Sequence, residues 1–312
     1  MDNKPIVARK NNAKFTNDEL VELTIAGNRA ELKSSGFKTP KTKMSIRRLK
    51  DGRLIDTKTG EYITSRKFTK RIDSLKGIKK SLKDLYWLLS ANVHGRKDEL
   101  FLTLTYRDPF QLDPRKAKKD WRNVYKNHLH RYYPNVKYIA IFEPQGRLYY
   151  NRKGEKVPSW HIHVILLGIG SIPKEKLYSW WKFGNISFVN IGEMKKTKGI
   201  NNLAEYFTSY AKKLDVEFMN EAALRIAKGK GANVLQSLNK QVAKAARLYF
   251  YPANFRIYTH SEGLKKAKKK YLLFSDVDQS RIGHPISSST VIVKDNNGRK
   301  LNEYKRVIFE RD

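Results

Sequence analysis

The run Trp160-His161-Ile162-His163-Val164-Ile165-Leu166-Leu167-Gly168 constrains the fold of this chain more than any other stretch. It is too apolar for a surface loop and is bounded by a glycine, so it reads as a buried strand. Side chains on a strand alternate between faces. His161 and His163 therefore share one face, while Ile162, Val164 and Leu166 supply a core on the other. Two imidazoles side by side on a rigid strand make half of a divalent-metal site. By themselves they are equally compatible with two hydrogen-bonded, half-buried histidines that bind nothing.

The 312 residues suffice for one large domain or a domain with appendages, and 40% of them are hydrophobic, enough for a real core. Lys and Arg number 64 against 30 Asp and Glu, a formal charge of +34. So large an excess calls for a polyanionic partner, with nucleic acid first. A membrane is the competitor. No stretch approaches the roughly 20 apolar residues of a spanning helix, and the polar start from Met1 to Asn17 carries no secretory signal. Cysteine is absent, which removes disulfides, zinc–cysteine sites and thiol nucleophiles and fits a reducing cytoplasm.

Along the chain, residues 1–75 read as a basic, partly mobile N-terminal arm. Short hairpin pieces are expected around Asp51-Gly52 and Thr59-Gly60. Ile78, Leu82, Leu85 and Leu89 recur at helical spacing until Asn92 and Gly95 end the pattern. The compact domain, residues 76–265, continues with the strand Leu100 to Tyr106 and a helix from Asp113 or Pro114 to about Tyr133. Trp121, Val124, Leu129 and Tyr132 are that helix's apolar contributors. Next come a strand from Val136 to Glu143, a loop or hairpin from Gly146 to Pro158, and the histidine strand. A helix from Lys174 to Lys182, a strand from Ile186 to Ile191 and a helix from Asn201 or Asn202 to about Leu214 follow. Helices are also expected over Glu217 to Lys230 and Val234 to Leu248, with an edge strand over Phe255 to Thr259. The order predicts an α+β fold, an antiparallel sheet with helices packed on one face. Residues 266–312 form a C-terminal basic segment with a β-hairpin, in which Thr290 to Val293 and Tyr304 to Phe309 flank the turn Asp295 to Gly298.

Glu143 is the best third metal ligand. If Gly146 to Pro158 is a hairpin loop, the end of its strand lies opposite the start of the histidine strand. A carboxylate with two imidazoles suits Mn²⁺ or Mg²⁺; a surface ion pair is the plainer alternative. A second constellation is Tyr206-Phe207-Thr208-Ser209-Tyr210-Ala211-Lys212-Lys213. On a helix, Tyr206, Tyr210 and Lys213 fall within about 60° of one another, beside an apolar stripe of Leu203, Phe207 and Leu214. A tyrosine oxygen can attack phosphorus if a cation helps it, because its ordinary pKa is ~10. Simple packing also explains the pair in a chain with 17 tyrosines.

Taken in order, Phe101-Leu102-Thr103-Leu104-Thr105, His161-Ile162-His163 and Tyr206-x-x-x-Tyr210-x-x-Lys213 resemble the rolling-circle replication initiators of the HUH endonuclease superfamily, of the plasmid and phage type with two tyrosines. Glu143 matches a metal ligand in many relatives, and Arg256 to Lys265 looks like their closing segment. The resemblance covers roughly residues 80–265. Many relatives carry a glycine shortly before the histidines, where this chain has Ser159-Trp160.

The resemblance implies an enzyme that nicks and rejoins single-stranded DNA at a replication origin. His161, His163 and Glu143 would hold a divalent metal, Mn²⁺ or Mg²⁺, that polarises the scissile phosphate. Tyr206 or Tyr210, aided by Lys213, would form a 5′-phosphotyrosine and free a 3′-hydroxyl for a host polymerase and helicase to use. A transposase or mobilisation relaxase with the same chemistry, a non-catalytic basic nucleic-acid-binding protein and an RNA-associated protein are the competing readings. The lysine and arginine clusters at 38–50, 67–83, 195–198 and 265–270 are expected to grip phosphates. His94, His128, His130, His260 and His284 show no ligand-like pattern.

Overall fold

The computed structural model describes residues 6–36, 46–49, 51, 53–57, 59–63, 71, 74–198, 204, 207 and 247–311. The fold is α+β and antiparallel throughout its three sheets. The chain divides into two compact units, one of residues 1–67 with 267–312 and one of residues 68–266.

In the first unit, the two ends of the chain build one six-stranded sheet. Strands β1 (Ile6–Lys10), β2 (Leu20–Ala26) and β3 (Arg29–Ser35) combine with β12 (Lys268–Leu273), β13 (His284–Lys294) and β14 (Lys300–Glu310) in the order β1-β13-β14-β3-β2-β12. This differs from an arm at one end and a separate hairpin at the other. Hairpins are written locally in the turn residues, but the pairing of β3 with β14 joins segments some 270 positions apart, and no periodicity reports it. The β2–β3 hairpin does carry a local signal that the reading of an arm overlooks. Val21, Leu23 and Ile25 alternate with polar residues before Gly27-Asn28, and Gly27 turns with φ of 58°. Val21, Leu23, Ala30, Leu32, Val277 and Ile282 form the core of this unit. The C-terminal hairpin turns at Asp295 to Gly298 as expected, on strands longer than the apolar runs suggested. Strands β4 (Ile46–Arg48), β5 (Leu54–Asp56) and β6 (Tyr62–Ile63) make a small sheet where the two hairpin pieces were expected.

The second unit holds a five-stranded sheet in the order β10-β7-β9-β8-β11. Its strands are β7 (Glu99–Leu104), β8 (Lys137–Tyr150), β9 (Lys156–Leu167), β10 (Ile186–Asn190) and β11 (Tyr258–His260). The β8–β9 hairpin extends beyond the expected loop start to a tight turn in which Asn151 N–H donates to the carbonyl of Glu155. Strand β11 lies three residues later than expected, because Phe255 turns into the core against Phe142 and Trp160. Helix α1 (Leu75–Asn92) buries Ile78, Leu82, Leu85 and Leu89. Helix α2 (Pro114–Val124) is capped by the Asp113 carboxylate, which accepts from the Arg115 N–H. It sets Trp121 edge-on against Tyr138 at 5.2 Å. Between α2 and the short α3 (His130–Tyr132), residues Tyr125–Leu129 form a π turn. Helices α4 (Lys174–Trp180) and α5 (Ile191–Lys198) complete the described elements, along with helical positions at Ala204 and Phe207. The helices expected over 217–230 and most of 234–248 lie outside the described residues; Arg247–Phe250 is a 3₁₀ turn.

Candidate metal centre

The register of the β8–β9 hairpin places Glu143 directly opposite His161, and that of β7 and β9 places Thr103 opposite His163. Directly paired residues point to the same face, and residues two apart on one strand do so as well. Glu143, His161, His163, Thr103 and Phe101 therefore share one face of the sheet, while Ile162 and Val164 are fully buried on the other. The two histidines and the glutamate are 91–93% buried.

Three donor atoms converge there. His161 Nε2 and His163 Nε2 are 2.8 Å apart, and Glu143 Oε2 lies 3.6 Å and 3.2 Å from them. All lie within 4.8 Å of one another, the one such cluster among the described residues. Two imidazole lone pairs this close repel unless a proton or a cation stands between them. The donor set, two imidazole nitrogens and a carboxylate oxygen, fits a first-row divalent ion.

Neighbours fix both sides of the cluster. His163 Nδ1 is 3.1 Å from the Thr103 hydroxyl. An Nδ1–H donated to that oxygen leaves the Nε2 lone pair aimed at the cluster. The His163 ring stacks on Phe101 at 5.5 Å and meets Phe207 at 5.3 Å. Arg247 Nη1 donates to Glu143 Oε1 at 3.0 Å, which leaves Oε2 for the histidines. Burial by itself would raise the Glu143 carboxyl. Hydrogen bonds and positive charge from His161 and His163 outweigh it and hold the group well below the usual carboxylate range. His161 Nδ1 is buried with no hydrogen-bond partner among the described residues.

Glu143, His161 and His163 are thus brought together. Tyr206, Tyr210 and Lys213 lie outside the described residues. Phe207, assigned by sequence to the apolar stripe beside them, is helical, 2% exposed and packed on both Phe101 and His163. Thr103 and Arg247 were missed as partners of the cluster. Thr103 could have been found, since it alternates with Phe101 on a strand already aligned with the histidines. Arg247, 104 positions from Glu143, left no local signal. Of the basic clusters, Lys79, Lys80 and Lys83 on α1 and Lys268 to Lys270 on β12 are exposed. No described helix is long and apolar enough to cross a membrane.

The fold and site define an antiparallel α+β sheet that carries a histidine pair and a carboxylate on one face. Residues 99–215, from β7 past Phe207, match the model of a family of replication-associated proteins, the ORF2 type. That stretch is what the chain has in common with the family. No curated protein and no solved structure matches the chain.

Proposed function

We propose that this chain is a replication initiation protein, a metal-dependent endonuclease that nicks and rejoins single-stranded DNA at a rolling-circle origin. The observation that carries the reading is the convergence of Glu143, His161 and His163 inside the stretch that matches a replication-associated family. The charge of +34 supports a DNA partner. A divalent ion held by these three residues would supply Lewis-acid polarisation of a non-bridging phosphate oxygen.

The chain's own groups do the rest. Phe207 packs on His163, and Tyr206 and Tyr210 stand one and three residues from it in sequence, which supports placing the nucleophile beside the cluster. One of these tyrosine hydroxyls attacks phosphorus. The bond from phosphorus to the 3′-oxygen breaks, and the tyrosine proton ends on that oxygen. The products are a 5′-phosphotyrosine and a free 3′-hydroxyl from which a host polymerase can extend. Lys213 assists by favouring the tyrosinate. One phosphodiester replaces another, so the step reverses and can join ends.

The test is a denaturing gel of the protein with labelled single-stranded DNA pools, with Mn²⁺ or with chelator. A protein-linked band that needs metal and disappears in the Tyr206→Phe, Tyr210→Phe double variant is the expected result. Tight DNA binding with no adduct from a diverse pool overturns the enzyme reading in favour of a non-catalytic binding protein.

A further inference from the structure

The helix from Pro114 to Tyr132 carries an irregularity with a definite consequence. Ala117, Trp121 and Val124 are buried at helical spacing, and the next buried residue, Leu129, comes five positions later. In an unbroken α-helix that spacing turns Leu129 about 140° away from Val124. The π turn Tyr125–Leu129, closed by the His130 N–H on the carbonyl of Tyr125, absorbs one extra residue and returns Leu129 to the core. It also sets His128 and Tyr132 against the indole of Trp180. His128 lies parallel to that ring at 5.5 Å and 8°, and Tyr132 at 5.6 Å and 12°. Tyr132, expected among the apolar contributors of the helix, is 57% exposed.

Cations stand over this group. Lys176 Nζ is 5.6 Å from the ring of Tyr132, and Lys174 Nζ is 5.8 Å from the ring of the exposed Tyr178. Neither lysine is in an ion pair among the described residues. Parallel rings at a surface, with unneutralised ammonium groups above them, match the stacking faces and phosphate contacts that single-stranded nucleic acid needs. Burial does not explain the arrangement, because the exposed faces contribute nothing to the core.

We infer that His128, Tyr132 and Trp180 form a stacking platform for bases of single-stranded DNA, with Lys174 and Lys176 holding the adjoining phosphates. The platform is distinct from the metal cluster. Tyr133, next to Tyr132, meets Trp180 edge-on and caps the entry to β8 at Val136, whereas Glu143 lies at the far end of that run. At the rise of a strand the separation is roughly 20 Å. The inference deepens the proposed function and rests on it for the identity of the strand, which would be the flank of the cleaved one.

The test is equilibrium binding of the full chain, in chelator, to a labelled oligothymidylate and to an abasic strand of the same length. The wild type is expected to prefer the strand that has bases. The His128→Ala, Tyr132→Ala double variant should bind oligothymidylate roughly tenfold more weakly or worse while its affinity for the abasic strand holds. Tyr132→Phe keeps the ring and should keep the preference. Lys174→Ala, Lys176→Ala should weaken both strands alike and flatten the salt dependence. Double variants that keep the wild-type preference, at an unchanged melting temperature, overturn the platform. Chelator keeps the two readings separable. A base preference lost in the variants with no covalent adduct in the gel retains the platform and removes the nuclease; an adduct with unaltered base preference does the reverse.

Discussion

Arg247 and Glu143 are joined by a hydrogen bond of 3.0 Å between Nη1 and Oε1, across 104 positions of sequence. The bond divides the carboxylate, one oxygen to the guanidinium and the other to the two histidines. Outer partners of this kind orient a ligand and tune its basicity. Arg247→Ala should lower Mn²⁺ affinity by roughly ten- to hundredfold, read by calorimetry. Lys at this position keeps the charge but loses the planar donor, so Arg247→Lys should recover only part of it. Affinity unchanged in both variants would show that Glu143 orients itself.

Thr103 does for His163 what Arg247 does for Glu143, from the neighbouring strand. Thr103→Val keeps the shape and removes the hydroxyl, so nothing fixes which ring nitrogen carries the proton. Metal affinity should fall by about tenfold or more, while Thr103→Ser should stay near wild type. The control is thermal stability without metal. A large loss there would mean that the hydroxyl supports folding rather than the tautomer.

A ligand that binds only the folded state stabilises it, by about 2.7 kcal/mol at a hundred times its dissociation constant. Mn²⁺ should therefore raise the melting temperature of the wild type, and chelator should reverse the effect. His161→Ala, His163→Ala and Glu143→Gln should each remove the shift. An equal shift in all three would locate the ion elsewhere.

The metal-free protein should also report on Glu143 through acid. Its carboxyl is held below the ordinary range, so its contribution to stability is complete above the unfolded value of ~4.3. That contribution drains away as pH falls from there through the lower folded value. Glu143→Gln has no carboxyl to protonate. The stability gap between wild type and variant, measured by denaturant titration, should be constant above ~4.3 and close in stronger acid. A gap that widens in acid would contradict the assignment.

What was legible in the sequence was local. The alternation around His161 gave the strand and its two faces, and the hairpin reading of 146–158 placed Glu143 opposite His161, where the register puts it. The partners that tune the cluster were not legible in the same way. Arg247 reaches Glu143 through the tertiary path of the chain, and nothing near either residue encodes the meeting. The terminal sheet was hidden for the same reason, since β1 pairs with β13 and β3 with β14. The π turn was hidden for another. Its signal is a five-residue gap between Val124 and Leu129, easily absorbed by a helix pattern that also accepted Tyr132.

That terminal sheet holds a buried charge whose energetics can be tested. Glu31 on β3 is fully buried and paired to Lys33 on its own strand and to Arg306 on β14, both of which reach solvent. Removing the anion by Glu31→Gln leaves two cations that can hydrate, and should cost little. Removing both cations by Lys33→Ala, Arg306→Ala leaves the carboxylate buried without its partners, which costs about 3–5 kcal/mol when a buried pair is broken. The double cation variant should therefore be the less stable of the two in denaturant titration. It should recover when Glu31→Gln is added to it, because the uncompensated charge is then gone. The opposite order would mean that Glu31 is neutral at rest, and that the pairing of β3 with β14 depends on apolar contacts such as Leu32 against Val307 instead.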